Sequence, residues 1–373
     1  MSDTTLILLG AGNSTRFGTT VKKQWLTSHD IPLWLQVAEH FERMGGFKEI
    51  IIVSSAEDVT LMRRFASYRF IVGGESRQAS LTHALQAVET PYVLVSDIAR
   101  CCIPTSMIER IMDAKGVASC IVPTLPATDT LYLEGNPIDR EQVRQIQTPQ
   151  LSVTHILKQA LTQERLFSDE SSAIASLGES IHFVEGSPKA HKLTRISDLA
   201  HLPCIQPPSH QSRVGFGLDT HPFESGKPMR LCGVTIDVPY GFKAHSDGDV
   251  AIHALIDALL GAAGMGDIGE LYPDTDNTYS AIDSTTLLSD TIRRIKTHGF
   301  VIGNVDMTII AQAPKLLPYK DTMQTTLASL LGIRQHCVNI KATTSEKLGF
   351  IGRKEGVTVH AVATLTYFNW KAL

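Results

Sequence analysis

No C-x-x-C pair occurs among the six cysteines of this 373-residue chain, Cys101, Cys102, Cys120, Cys204, Cys232 and Cys337. That excludes a cysteine zinc site of the usual spacing, and the six read as reduced cytosolic thiols, not as a disulfide framework. Nowhere does an apolar run approach the roughly 20 residues that span a bilayer. No basic n-region with a cleavage site precedes the first strand-like run, at residues 4–9. Charge of one sign is not in excess either: 34 Lys and Arg stand against 38 Asp and Glu, a formal net charge of -4. Electrostatic binding to nucleic acid or to a membrane therefore has no support. A cytoplasmic protein is expected. No repeat relates the two halves of the chain.

What is present suits a soluble globular protein with sizeable cores: 43% hydrophobic residues and 19% charged. The length calls for two or three domains. Up to about residue 200, short apolar runs alternate with helical patterns. Strands are expected at 4–9, 49–54, 69–72, 92–96 and 118–123, with helices at 33–43, 58–66, 76–88 and 105–115. This alternation predicts an α/β domain with a mostly parallel sheet covered on both faces. Ligands of such sheets bind beyond the carboxyl ends of the strands.

The loop after the first strand reads G-A-G-N-S-T-R-F-G, Gly10 to Gly18. Thr15 stands where a dinucleotide fingerprint needs its third glycine, and no G-K-[ST] follows as a Walker A loop requires. Small residues still let backbone N–H groups approach an anion, and Arg16 adds charge. An ordinary tight turn is as good a reading of this loop alone. Lys22-Lys23-Gln24 brings further cations near the same strand end. Gly73-Gly74-Glu75-Ser76-Arg77 opens a helix, and Ser96-Asp97 ends an apolar strand with an acid suited to magnesium. Asp129-Thr130, Arg140, Thr148-Pro149-Gln150 and Lys192-Leu193-Thr194-Arg195 follow. Each has a bland reading as turn, cap or surface charge. Together they suit a nucleoside triphosphate and a phosphorylated acceptor.

In their order, these motifs resemble 2-C-methyl-D-erythritol 4-phosphate cytidylyltransferase over residues 4–200, the CTP-using step of non-mevalonate isoprenoid synthesis. The resemblance implies a Rossmann-like nucleotidyltransferase domain at 1–200. It places Arg16 and Lys23 on the CTP phosphates with Lys192 assisting, and Asp97 on Mg²⁺. Gly12, Gly74, Glu75, Arg77 and Ser80 fall at nucleotide-binding positions, and Thr130 and Arg140 at positions that grip methylerythritol phosphate. The sequence departs from the family at Ser14, where a loop glycine is usual, and at Ser96 and Cys101 in the H-D-A-A-R-P motif.

Residues 201–212, rich in proline and aperiodic, read as a semi-rigid linker. Beyond it, Asp219 and His221 lie two apart on a strand-like run and so share a face. The stretch 244–257 reads as a helix, with Asp249, His253 and Asp257 in one polar stripe at i, i+4 and i+8. Either that stripe faces water or positive charge sits against it. Asp219, His221 and His253 make a plausible three-ligand set with one open place, as at a catalytic zinc.

The motifs A-H-S-D-G-D-V, D-A-L-L-G-A, Y-P-D-T-D, A-Q-A-P-K and K-A-T-T-S-E-K-L-G-F closely resemble 2-C-methyl-D-erythritol 2,4-cyclodiphosphate synthase, over 213–370. The resemblance implies an α+β synthase domain at 213–373, with Asp219, His221 and His253 on zinc and Glu346 on magnesium. His245 and Ser246 would contact the phosphates and the methylerythritol, and Asp267 the ribose. Ala311, Lys315, Leu316 and Thr343 would form the cytosine pocket, with Thr344 near the phosphates. Asp274, Phe350 and Arg353 complete the substrate-binding set.

That family is trimeric with sites between subunits, which implies a homo-oligomer built on synthase trimers, with a hexamer as one form. Joined, the two resemblances imply a bifunctional enzyme. Its substrates would be CTP, methylerythritol phosphate and CDP-methylerythritol 2-phosphate, and the separate pathway kinase would be a candidate partner. Two rivals stand beside this reading. The first domain could be only a CTP-binding or assembly module, or it could transfer nucleotides to another sugar phosphate.

Overall fold

A computed structural model describes residues 2–244, 246–273, 275 and 282–372. The chain divides into two compact units, Met1–Pro207 and Pro208–Leu373. No described helix is long and apolar enough to cross a membrane.

The first unit is built on β1 (Thr4–Leu9), β2 (Glu49–Ser54), β3 (Arg69–Val72), β4 (Tyr92–Asp97) and β5 (Cys120–Pro126). Between them run α1 (Leu33–Met44), α2 (Ala56–Met62), α3 (Arg77–Leu85) and α4 (Thr105–Asp113). Every residue of β1 is buried, as a continuous apolar run in a sheet covered on both faces should be. β4, β1, β2 and β3 pair in parallel in that order. A short arm follows, β6 (Leu131–Leu133) and β7 (Asn136–Ile138), and then β8 (Arg144–Ile146) and β9 (Gln150–Val153) return antiparallel to the sheet. After α5 (Thr154–Ala160) and α6 (Glu170–Ala175), β10 (Ile181–Glu185) pairs in parallel with β5. The loops after β1, β3 and β4 thus open at one end of the sheet.

The cysteine expectation needs correcting: Cys102 and Cys204 form a disulfide, 102 residues apart in sequence. Spacing could not show it, because the fold alone brings these Cα atoms to 5.4 Å. Leu202 and Ile205 flank Cys204 and are buried. This part of the proline-rich stretch therefore packs within the first unit, and the division falls after Pro207.

The second unit has one five-stranded sheet. Its strands are β11 (Arg213–Ser225), β12 (Tyr240–Phe242), β13 (Phe300–Ile310), β14 (Val338–Thr343) and β15 (Gly356–Tyr367), in the order β12-β11-β15-β13-β14. One face carries α7 (Val250–Ala263), with α8 (Ile268–Leu271), α9 (Ser284–Thr297) and α10 (Lys320–Leu331) elsewhere in the unit. Leu255, Ile256, Leu259 and Leu260 of α7 are fully buried, each contributing about 1.5–3 kcal/mol of apolar transfer. Gly215 and Gly217 let α7 lie directly on β11, since a Cβ at either would run into the backbone of Ala258 or Ala254.

The helix expected at 244–257 begins only at Val250. Asp249 is its N-cap, fully buried, and accepts from the backbone N–H of Ile252, Cys232 and Gly233. Its acid therefore ties a neighbouring hairpin to the helix start and is no part of a wet stripe.

Candidate functional sites in the two units

The loops after β1, β3 and β4 enclose a cavity of about 240 Å³. Gly12, Arg16, Lys23, Gly74, Glu75, Arg77, Ser80, Asp97 and Lys192 all line it. The local chain explains their placement. Ser14 sits in the left-handed region at φ 56° and Gly18 at φ 77°, so the loop turns sharply around Arg16. Ser76 caps α3 by accepting from Ala79 N, which leaves Gly74 and Glu75 at the cavity rim and Arg77 in the first turn.

Asp97 ends β4 and is almost wholly buried. Its Oδ2 accepts from Lys192 Nζ at 2.8 Å and Thr148 Oγ1 at 3.3 Å, and its Oδ1 from Arg77 Nε at 3.3 Å. Burial opposes its ionisation, but the charges of Arg77 and Lys192 prevail and hold its pKa at about 2. Arg77 is itself gripped by fully buried Glu170, Nη1 to Oε1 2.7 Å. Lys23 Nζ donates to the Leu193 carbonyl at 3.2 Å. Burial, then Lys192 and Arg16, lower its pKa below the ordinary 10.5. Four cations, Arg16, Lys23, Arg77 and Lys192, against the two carboxylates Glu75 and Asp97 leave a positive cavity, an arrangement that accepts a polyphosphate.

Thr130 and Arg140 are not brought to this cavity. Both are exposed on or beside the β6–β7 arm, where Arg140 Nη1 donates to the Thr128 carbonyl at 2.9 Å. Glu170 escaped sequence reasoning because it reaches the site only through Arg77, and no local pattern marks such a contact.

In the second unit, Asp219, His221 and His253 converge, with one ligand atom from each within 4.8 Å of the others. Asp219 Oδ2 lies 3.0 Å from His221 Nε2 and 3.3 Å from His253 Nδ1. The opposite ring nitrogens are held: His221 Nδ1 donates to the Gly248 carbonyl at 3.1 Å, and His253 Nε2 pairs with Ser284 Oγ at 3.0 Å. Each imidazole therefore turns one nitrogen to a common point beside a carboxylate, the donor geometry of a three-ligand metal site. Burial opposes the charge on Asp219, yet hydrogen bonds from both histidines hold its carboxyl well below the usual range. For His221, burial pulls the pKa down, but the Asp219 hydrogen bond and charge raise it.

Ser246 Oγ lies 3.3 Å from His253 Nε2, and both line a cavity of about 440 Å³ with Lys243 and Tyr272. Asp267 caps α8 through Glu270 N and does not line that cavity. Asp257 accepts from Ile268 N at 2.8 Å and so ties α7 to α8. His245 and Asp274 lie outside the described residues. Ser284 and Lys243 were not expected, and neither belongs to a local motif.

The remaining residues expected at this site are placed elsewhere. Thr343 sits in register with Ile310, Thr358 and Thr220. That row faces away from α7, whereas Asp219 and His221 face it. Ala311 bonds Thr343 backbone to backbone at 2.9 Å, and Leu316 is buried nearby in chain. Thr344 Oγ1 donates to Glu346 Oε1 at 3.1 Å, with Glu346 left-handed at φ 50°. Arg353 is exposed and paired with Glu355 at 2.8 Å. Ala311, Lys315, Leu316, Thr343, Thr344, Glu346, Phe350 and Arg353 do not line the cavity of the Asp-His-His cluster. Within one chain, three strand spacings and the thickness of the sheet separate the two sets, which the expected sites between subunits would draw from different copies.

A cationic cavity at the ends of parallel strands, joined in one chain to an Asp-His-His cluster, defines a two-site enzyme that handles phosphates. Residues 4–205 match the 2-C-methyl-D-erythritol 4-phosphate cytidylyltransferase family, and residues 212–366 the YgbB family. The bifunctional enzyme IspD/IspF of Sulfurovum sp. is 71% identical over 371 residues, covering 100% of both chains. That of Nitratiruptor sp. is 51% identical, again over 100% of each. The solved structure of the bifunctional IspDF from Campylobacter jejuni superimposes with a TM-score of 0.89 at 44% identity, covering 99% of this chain and 100% of that one. The chain belongs to this bifunctional family, a cytidylyltransferase and a cyclodiphosphate synthase of isoprenoid biosynthesis in one polypeptide.

Proposed function

We propose that the cavity of the first unit transfers CMP from CTP to methylerythritol 4-phosphate, and that the Asp-His-His cluster of the second unit serves the cyclisation. The convergence of nine expected residues on one cavity carries the first assignment. The acceptor phosphate attacks the α-phosphorus, that bond forms as the α–β bridge breaks, and pyrophosphate leaves. Arg16, Lys23 and Lys192 neutralise charge that grows on the phosphates, which is the main work left to protein in such a transfer. Asp97 offers one carboxylate to Mg²⁺, which suits an ion held mostly by substrate phosphates.

In the second reaction, the substrate's own 2-phosphate attacks the β-phosphorus and CMP leaves. Asp219, His221 and His253 would hold zinc, which when bound polarises the phosphate under attack. Ser284 and the Gly248 carbonyl fix the two imidazoles. Glu346 would serve a magnesium ion.

The scattered residues support an oligomer. Val214, Phe216 and Leu218 leave the open sheet face 65%, 58% and 49% exposed, an apolar stripe that a partner copy would cover. On a trimer packed through this face, the Ala311, Lys315, Leu316 and Thr343 set of one copy completes the metal cavity of the next. Likewise, Thr130 and Arg140 on the exposed arm serve the cavity of a second copy. A separate kinase supplies the phosphorylation between the two reactions.

Incubation with CTP and methylerythritol phosphate, with and without kinase and ATP, tests this reading. Pyrophosphate release without kinase, and cyclodiphosphate only with it, is the expected result. Equal use of an unrelated sugar phosphate would remove the substrate assignment.

A further inference from the structure

Asp58 lies in the first turn of α2, is fully buried, and does not line the nucleotide cavity. A buried carboxylate is costly unless it is paired and hydrogen-bonded. Here Oδ1 accepts from Lys22 Nζ at 2.8 Å and Trp25 Nε1 at 2.9 Å, and Oδ2 from Gln24 Nε2 at 3.1 Å and Ser54 Oγ at 3.2 Å. Three of these donors belong to the single turn Lys22–Trp25. Lys23 is the member of that turn that points elsewhere, with its ammonium in the cavity wall beside Leu193.

The chain of contacts continues past Gln24. Its Oε1 accepts from Ser14 Oγ at 3.4 Å, and the same Ser14 oxygen accepts from the Lys23 backbone N–H at 3.0 Å. Ser14 holds the left-handed position of the Gly10–Phe17 loop, two residues before Arg16. A side chain there carries strain that glycine would not. Its hydroxyl offsets that strain by joining the two cation-bearing segments. Capping of α2 does not need the Asp58 side chain, because Ser55 Oγ accepts from the Asp58 N–H.

We propose that Asp58 is a positioning residue for cytidylyl transfer. It clamps the Lys22–Trp25 turn, and through Gln24 and Ser14 the Gly10–Phe17 loop, so that Lys23 and Arg16 face the phosphates together. This rests on the assignment of Lys23 and Arg16 to the CTP phosphates. A displacement of about 1 Å in such a group can cost on the order of 10²-fold in rate.

The test compares the full-length Asp58→Asn, Lys23→Ala and double variants in pyrophosphate release, with folding followed by circular dichroism. Asparagine cannot present acceptors on both sides, so Asp58→Asn should lower kcat by roughly 10- to 10²-fold with the fold retained. Added to Lys23→Ala, it should cost less than about threefold more, because the group it positions is already gone. Should Asp58→Asn fail to fold, Trp25→Phe removes only one N–H donor and should lower kcat by roughly three- to tenfold. Unchanged kcat in the folded variant, or losses that multiply in the double variant, would overturn the proposal. A fully active Lys23→Ala would instead overturn the site assignment beneath it.

Discussion

The ammonium of Lys192 lies 2.8 Å from Oδ2 of Asp97. Arg77 and Thr148 occupy the rest of this carboxylate. On the proposed assignment of Mg²⁺ to Asp97, the ion would compete with Lys192 for this carboxylate, and loading the site would free Lys192 for the triphosphate. Lys192→Met should lower kcat for cytidylyl transfer by about 10²-fold or more. It should also lower the magnesium concentration needed for half-maximal rate. A higher magnesium requirement in the variant would show that the two groups do not compete.

In its proposed role Lys23 must carry its proton to stabilise phosphate charge, and burial with Lys192 and Arg16 lowers its pKa. The rate should therefore fall at high pH sooner than an ordinary lysine, at 10.5, would dictate. Removing Lys192 takes away a like charge and raises the pKa of Lys23. The alkaline limb of kcat/KM for CTP then moves to higher pH in Lys192→Met, and a limb that stays or moves down speaks against this role.

The two imidazoles of the second unit turn one nitrogen each toward Asp219, and their other nitrogens are held by Gly248 and Ser284. Elemental analysis of purified protein should find zinc in the wild type and little in Asp219→Ala,His253→Ala. Ser284→Ala should keep the ligands but loosen one ring, weakening zinc affinity by roughly 10- to 10²-fold in a competition with chelator. Undiminished zinc in the double variant would remove the ligand set.

Phe216 stands on the open sheet face beside His360. Phe216→Asp places a charge where a partner copy should pack, at a cost of several kcal/mol if the face is covered. Light scattering should show a smaller assembly, and cyclisation should fall with it. An unchanged mass would mean that copies do not meet through this face.

Much of the first unit was legible in the residues. β1, β2 and β3 run over the residues expected: β1 and most of β2 are buried and read as unbroken apolar runs, and β3, at the sheet edge and only partly buried, still carries the apolar run 70–72. Edges were harder: β4 runs one residue past the expected 92–96, to Asp97, held by backbone pairing to Leu9 that a polar side chain conceals. α2 starts at Ala56 because Ser55 caps it, although the apolar pattern alone suggested a later start. Residues near strand ends were found because the loops of a parallel sheet share one end. Thr130, Arg140 and the cytosine set were named from motifs, but motifs do not say which copy of the chain they serve. The Cys102–Cys204 link and the Glu170 grip on Arg77 join residues far apart in sequence, and only the fold brings them together.

Assaying both reactions in the same two variants tests most directly whether one chain carries two separate active sites. Lys23→Ala should lower pyrophosphate release from CTP by about 10²-fold or more while leaving CMP release from CDP-methylerythritol 2-phosphate near the wild-type rate. Asp219→Ala,His253→Ala should do the reverse. Loss of both activities in either folded variant, or of neither, would mean that the two sites are not separate.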